Sequence, residues 1–552
     1  MSFKPAYADL SVLIVDDMAT QQATLRNQLS MLQIGKIDVA STAEDALRLI
    51  KSRNYSVVMC DYNLNQKSDG QQILEFLREN NGLGAQTLFF MITAENSYAS
   101  VAAASECKPD AYLLKPVTAA DIDERLRTQT ERRTATLPIH MALSRGDLPA
   151  ALAACEELLA KRDRYTMAAL QLKGQTLLQL GRPEESSAIY GKVLELRPGL
   201  VWAQLGMARA QKAAGNLEEA KTLAYDIIRS KDGEKNVEAY DLVAECLEAQ
   251  GDPQGAMWML RDSAAVMPSP RRQRLVGDSA YRNGDIETAK DCYAKLLKST
   301  KGSITSQSQD TLMLAQVKID AGETADAIAL LDAATPQNRH DPQFASVALT
   351  IKAQGQIKMG DMSGAQASLA RARQTMRRPK ADFATVALAK AELLAGNEAE
   401  GLKLLSTAVS ADHENPRVQQ MIGNALRDTG REHLLQGVVD AAVNGLNTRV
   451  ADAKVLFRNS QIDEALAAIE AALREYPENT GVLLQAAQMN CMSLRLKKQL
   501  NSTVSERVRA YLTRLDTLMP GSDRVAQMHR YYRETLAALR NPAAPTQAAQ
   551  PA

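Results

Sequence analysis

Ser56-Val57-Val58-Met59-Cys60-Asp61 is a short apolar run that ends in a carboxylate. Three other runs in the first 120 residues end in a polar group in the same way. Val12-Leu13-Ile14-Val15 leads into Asp16-Asp17, Leu88-Phe89-Phe90-Met91-Ile92 into Thr93, and Ala111-Tyr112-Leu113-Leu114 into Lys115, which Pro116 follows. Strands covered on both faces read as continuous apolar runs, and sheets covered on both faces are parallel. Open parallel sheets place their ligand sites at the carboxyl ends of the strands. Three carboxylates, one hydroxyl and one ammonium are therefore expected on one rim.

These residue types fit one kind of chemistry. A hard cation such as Mg2+ takes oxygen ligands and keeps several waters, so one or two carboxylates plus a substrate phosphate suffice. A carboxylate can also act as a nucleophile and become an aspartyl-phosphate. The charge that develops on the phosphoryl oxygens is then met by the metal and a cation. On this reading Asp17 and Asp61 hold Mg2+, Asp16 stands beside them and acts through water, and Asn63 adds a backbone carbonyl. Lys115 pairs with the phosphate and Thr93 hydrogen-bonds it.

In order and spacing, Val15-Asp16-Asp17, Cys60-Asp61-Tyr62-Asn63, Ile92-Thr93-Ala94 and Leu114-Lys115-Pro116 resemble the receiver domain of two-component response regulators, over residues 9–130. The resemblance implies that Asp61 is the phosphoacceptor, that the Lys115-Pro116 bond is cis, and that Tyr112 holds the aromatic switch position. A half-buried tyrosine at a strand edge would look the same in sequence. The loop Tyr62-Asn63-Leu64-Asn65-Gln66-Lys67 lacks the proline often found there, a departure that leaves the chemistry untouched. The resemblance also implies a histidine kinase as phosphoryl donor in a bacterial phosphorelay. It implies no enzyme activity beyond Mg2+-dependent phosphoryl transfer and dephosphorylation of the chain itself, and it leaves room for a receiver-mediated homodimer.

At 552 residues the chain exceeds one hydrophobic core. Its 65 basic and 65 acidic residues cancel, and residues 1–130 carry 12 basic and 16 acidic ones. Neither part has the basic excess that nucleic-acid binding calls for, so no nucleic-acid partner is expected. Cys60, Cys107, Cys155, Cys246, Cys292 and Cys491 show no metal-ligand or redox spacing and read as small buried hydrophobes in a reducing compartment. The start, Met1-Ser2-Phe3-Lys4-Pro5, is no signal peptide, and no apolar run approaches the roughly 18 residues of a membrane span. A cytoplasmic protein with no membrane insertion is expected.

After Arg132-Arg133 the strand-like runs stop and a period begins. Glycines recur at 146, 181, 215, 251, 284, 322, 360, 396 and 430, with spacings of 33 to 38 residues. Five residues after the glycine the side chain is small (Ala151, Ser186, Ala220, Ala256, Ala289, Ala327, Ala365, Gly401), until Leu435 breaks the pattern. Seven before it the residue is again small (Gly174, Ala208, Ala244, Gly277, Ala315, Ala353, Ala389, Gly423), with Ile139 as the first-repeat exception. Small residues at fixed points of two successive helices let the backbones approach, and glycine between them ends the first helix in a left-handed turn. Helix pairs at about this period resemble tetratricopeptide repeats. A tenth unit without glycine is expected at Asn459-Ser460-Gln461-Ile462-Asp463-Glu464-Ala465.

Other signals carry little. Glu464-Ala465-Leu466 spells a cyclic-di-GMP phosphodiesterase tripeptide, but it sits in a repeat helix without companion metal ligands. His140, His340, His413, His433 and His529 are scattered. Arg271-Arg272-Gln273-Arg274 and Arg377-Arg378-Pro379-Lys380 read as solvated repeat edges, with a docking role for either as the alternative.

The expected architecture is an α/β doubly wound five-stranded parallel receiver domain at 1–130, a linker at 131–137, an all-α repeat solenoid at 138–475, capping helices at 476–540 and a disordered tail at 541–552. The expected function is a response regulator phosphorylated on Asp61 whose array signals by binding a protein. The alternative is an adaptor or phosphate sink that competes for a kinase's phosphoryl groups. An enzymatic output finds no glycine-rich or metal-binding signature in 131–552, and a DNA-binding output finds no room for a recognition helix.

Overall fold

The computed structural model describes residues 7, 9–64, 67–80, 82–84, 86–94, 108–376, 382–411, 416–499, 501–519 and 523–540. The expectations for Asn65, Gln66, Cys107, Arg377-Arg378-Pro379-Lys380, His413 and the tail at 541–552 fall outside these residues.

The apolar runs form one sheet of five strands, β1 (Ser11–Val15), β2 (Lys36–Ala40), β3 (Val57–Asp61), β4 (Leu88–Thr93) and β5 (Ala111–Leu114). Their order is β2-β1-β3-β4-β5, and every pairing is parallel. Both faces are covered, which is why β1, β3, β4 and β5 read as apolar runs, whereas the edge strand β2, Lys36-Ile37-Asp38-Val39-Ala40, alternates. Val12, Ile14, Val57, Met59, Phe90 and Ile92 pack with α1 (Ala19–Met31) and α4 (Ala119–Ser144) on one face. Leu13, Val15, Val58, Cys60, Phe89 and Met91 pack on the other with α2 (Ala43–Ser52) and α3 (Gly70–Glu79).

Helix α4 begins at a Thr118–Asp121 capping box and runs without interruption to Ser144, with Pro138 inside it. The linker expected at 131–137 is thus helical, and one helix serves both as the last element of the receiver and as the first of the array.

From there the chain is helical. The elements are α5 (Leu148–Ala160), α6 (Thr166–Gln179), α7 (Pro183–Leu196), α8 (Val201–Ala213), α9 (Leu217–Arg229), α10 (Val237–Ala249), α11 (Pro253–Val266), α12 (Pro270–Arg282), α13 (Ile286–Thr300), α14 (Ser308–Asp320) and α15 (Thr324–Ala334). They continue as α16 (Pro342–Lys358), α17 (Met362–Thr375), α18 (Phe383–Leu394), α19 (Glu398–Ala411), α20 (Pro416–Asp428), α21 (Leu435–Arg458), α22 (Ile462–Glu475), α23 (Thr480–Lys497), α24 (Ser502–Leu518) and α25 (Asp523–Arg540). All nine periodic glycines have positive φ, between +64° and +88°, and each separates two helices. Ser460 takes the same conformation at φ +63° between α21 and α22, so the tenth turn is made without glycine. Where Leu435 breaks the small-residue rule, α21 is one long helix that fills the place of two.

The small residues are close contacts. Ala151, Ser186, Ala220, Ala256, Ala289, Ala327 and Ala365 are fully buried. A Cβ on Gly174 would lie 2.5 Å from Cζ of Tyr190, and one on Gly206 2.4 Å from the same atom. The Tyr190 ring is therefore held between two helices that only glycine lets come so near.

The chain divides into two compact units. The first comprises Met1–Leu178, Arg182–Ser279 and Ala294–Gln307, and the second comprises Gln179–Gly181, Ala280–Tyr293 and Ser308–Ala552. In the first, Arg272 is buried and paired with Asp241, and Arg274 donates to the carbonyl of Thr305 at 2.5 Å. Arg272 and Arg274 of the 271–274 cluster are thus not the solvated edge their sequence suggests. A charge run shows polarity, whereas a buried ion pair depends on an Asp241 some thirty residues away. In the second unit Lys390 is buried between Asp320 at 2.8 Å and Asp428 at 2.6 Å, and the Tyr281 hydroxyl donates to Asp320 at 2.9 Å.

The left-handed turns give a stability test. Nothing lies within 4 Å of a Cβ built on Gly215 (φ +88°), so Gly215→Ala should cost only the left-handed penalty, about 1 kcal/mol. Ser460→Gly should stabilise by a similar amount, about 1 kcal/mol. Urea unfolding followed by helical circular dichroism should move the two midpoints in opposite directions.

Candidate functional site

Parallel pairing brings the ends of β1, β3, β4 and β5 to one edge, with Val15 beside Cys60, Asp61 beside Ile92, and Thr93 beside Leu114. Asp16 follows β1 with its amide bonded to Ala40 O at 3.2 Å. One of its carboxylate oxygens accepts the Met18 amide at 2.8 Å, and Gln22 Nε2 donates to its carbonyl at 2.5 Å, so the acid is fixed before any ligand arrives. Asp61 ends β3, and the next amide, Tyr62, bonds Ile92 O at 2.8 Å. Lys115 leaves β5 with its amide on Thr93 O at 2.8 Å, and the following peptide bond to Pro116 is cis.

The side chains meet as these anchors dictate. Carboxylate oxygens of Asp16, Asp17 and Asp61 all lie within 4.8 Å of one another. Lys115 Nζ is 2.9 Å from Asp61 Oδ2 and 3.4 Å from Asp16 Oδ2. Asp16 is fully buried, Asp61 is 6% exposed and Thr93 3%. Burial raises the Asp61 pKa above its ordinary value, against the pull of Lys115 and with a further push from Asp16 and Asp17. Burial works against the Lys115 charge, but the bond to Asp61 and the field of both acids outweigh it, and its pKa rises. Burial thus works against the charge of both partners, and the 2.9 Å contact between them offsets it.

Thr93 is buried at the end of β4, and Asn63 is exposed two residues past Asp61. Tyr112 is half-buried and packs beside Tyr62 against the α2–α3 side of the core. Its hydroxyl is buried without a hydrogen-bond partner among the described residues, and burial pushes its pKa up.

Two features of the site escape the motif reading. Gly70, the first residue of α3, lies so close to Asp61 that a Cβ there would be 2.2 Å from the Asp61 carbonyl oxygen. Its amide bonds Tyr62 O at 2.8 Å, so the start of α3 is pinned to the residue that follows Asp61. Asp69 and Gln72 close a capping box over the same turn, and Asp69-Gly70-Gln71-Gln72 does show that box in sequence.

A rim of three oxygens-only acids and one ammonium at the end of a five-stranded parallel sheet defines the class. The family model for the response regulator receiver domain matches residues 12–127, and tetratricopeptide-repeat models match 177–239 and 450–490. This chain carries a response regulator receiver domain joined to tetratricopeptide repeats. The receiver is similar to chemotaxis protein CheY-3 of Vibrio cholerae, 29% identical over 124 residues that cover 22% of this chain and 94% of that protein. It is also similar to chemotaxis protein CheY of Pseudomonas aeruginosa, 27% identical over 123 residues, 22% of this chain and 98% of that one. Among solved structures, a tetratricopeptide repeat protein from Parabacteroides merdae aligns with 48% of this chain and 99% of its own at 13% identity and a TM-score of 0.29. No helix among the described residues is long and apolar enough to cross a membrane.

The donor set fits a hard divalent cation, because every candidate ligand is an oxygen and two of the acids are buried. Mg2+ at ten times its Kd should stabilise the receiver by about 1.4 kcal/mol. Thermal unfolding with and without Mg2+ should show that gain in the unaltered chain and none in Asp17→Asn.

Proposed function

We propose that this chain is a phosphorylation-controlled response regulator that accepts a phosphoryl group on Asp61 from a histidine kinase and signals through protein binding by its repeat array. The observation that carries the reading is the contact of Lys115 Nζ with Asp61 Oδ2 at 2.9 Å inside a cluster of three acids. An isolated ion pair needs neither the second nor the third carboxylate, whereas a phosphoryl-transfer site needs all of them.

In the transfer step an Asp61 carboxylate oxygen attacks phosphorus. The bond from phosphorus to the donor's imidazole nitrogen breaks, and that nitrogen keeps the electron pair. Asp17 and Asp61, with the Asn63 carbonyl and with Asp16 through water, would hold Mg2+, which would supply positive charge to the phosphoryl group. Lys115 leaves the carboxylate for the phosphoryl oxygens, a charge-assisted contact that ties the phosphate to the end of β5. Thr93 turns its hydroxyl to the same group, and the space it vacates is filled by the Tyr112 ring. Local charge thus biases a two-state element. Beyond this self-directed transfer and hydrolysis the chain has no catalytic task, and the array supplies the output.

The rival phosphate-sink reading keeps the same Asp61 chemistry and drops the output. Intact-mass measurement after acetyl phosphate and Mg2+ tests what both share, with one phosphoryl adduct expected on the unaltered chain and none on Asp61→Asn. Equal labelling of the two would overturn the assignment. Lys115→Ala should still accept phosphate at a rate lower by roughly tenfold or more, as expected when one charge partner of a transition state is removed.

A further inference from the structure

The first structural unit holds a contact that neither the motifs nor the family resemblance assigns. Helices α13 and α14 of the array are joined by the loop 301–307, which belongs to the same unit as the receiver. It lies in one of the longest spacings of the array, from Gly284 to Gly322, where the extra residues go.

The loop is built to hold one shape. Gly302 turns it at φ +76°, and Ser303 N bonds Thr300 O at 2.8 Å. Ser303 Oγ lies 2.9 Å from Thr305 Oγ1, and Arg274 holds the Thr305 carbonyl from the array side. So shaped, it meets the loop that follows Asp61. Ser68, only 3% exposed, lies with its hydroxyl 3.1 Å from Ser303 Oγ and accepts the Ile304 amide at 3.1 Å. The Ile304 side chain packs against the α2–α3 side of the receiver core. Ser303 Oγ is also 3.5 Å from Gln72 Oε1, the residue that closes the capping box of α3. Farther along the same helix, Glu79 lies 3.7 Å from Arg271.

Ser68, Gln72 and Glu79 recur at spacings that put them on one side of α3 and its leading turn. The Glu79–Arg271 pair is largely solvated and adds little. The buried Ser68–Ile304 contact and the Ile304 side chain carry the interaction.

We propose that this side of α3 is the docking surface for the array segment 301–307, and that phosphoryl transfer to Asp61 loosens the dock. The second half rests on the proposed function above. Gly70 ties the start of α3 to the carbonyl of Tyr62, the residue after Asp61. The start of α3 therefore stands between the phosphoacceptor strand, through Tyr62, and the segment 301–307, through Ser68 and Gln72. A phosphoryl group on Asp61 that displaces Tyr62 displaces the start of α3 against the dock. By linkage the two events oppose each other equally.

Cysteine cross-linking in the full chain tests both halves. Ser68→Cys with Ser303→Cys should form a disulfide under mild oxidation, read by mass spectrometry of the linked peptides. Ser30→Cys with Ser303→Cys, whose partner sits on α1 across the sheet, should not. Beryllofluoride with Mg2+ should slow the first cross-link by at least roughly fivefold, the lower end of allosteric coupling, and should leave it unchanged when Asp61→Asn is added. Hydrogen exchange of the 301–307 peptide gives a second measure without cysteines. It should quicken roughly tenfold in Ser68→Ala, which removes the acceptor of the Ile304 amide.

A cross-link no faster than the α1 control, or exchange at 301–307 already at the unprotected rate in the unaltered chain, would overturn the docking surface. A cross-link rate unchanged by beryllofluoride that fluorine NMR shows bound would overturn the loosening. Failure of beryllofluoride to bind, with the cross-link intact, would overturn the response-regulator reading and leave the dock supported.

Discussion

Parallel strand pairing is the constraint on which this molecule depends. It sends the carboxyl ends of β1, β3, β4 and β5 to one edge. The strands there end in polar residues, Asp16 and Asp17 after β1, Asp61 at β3, Thr93 at β4 and Lys115 after β5. The buried runs make the sheet stable, and the same burial gives the rim its chemistry. Asp61 is desolvated, so its charge is held by specific partners rather than by water, and Lys115 at 2.9 Å is the first of them. A cation beside a buried carboxylate is what the proposed phosphoryl transfer to Asp61 asks of the protein.

A second constraint organises the remainder. Each helix pair ends its first helix in a left-handed residue, and the helices can pack closely because glycine, alanine or serine stands at the crossing. No repeat can bury its apolar side alone, so the array is stable only as a stack. Helix α4 runs from the receiver into the first repeat, with Pro138 inside it, so the two share one helix. The output of such a chain need not pass through a flexible linker.

Much of this was legible in the sequence, for reasons that can be named. The rim residues were visible because each follows an apolar run, and position in a parallel strand fixes position in space. The array was visible because positive φ selects glycine so strongly that the turns print their own period. What stayed hidden depends on contacts between distant parts of the chain. Ser68 and Ser303 look like ordinary loop serines, and nothing local marks their pairing. Arg272 looks solvated until Asp241 is placed beside it. Ser460 hides a tenth turn by adopting a conformation its type rarely takes. The expected linker at 131–137 was inferred from the end of one pattern and the start of another, and a helix that serves both shows neither boundary.

The central claim is that the phosphorylation state of Asp61 sets the affinity of the array for its protein partner. Calorimetry of the full chain against a partner captured by pull-down, with and without beryllofluoride, measures this directly. The account requires a change of roughly 5- to 150-fold, the usual range of allosteric coupling, which vanishes in Asp61→Asn. The same affinity in both states would contradict it and would favour the phosphate sink.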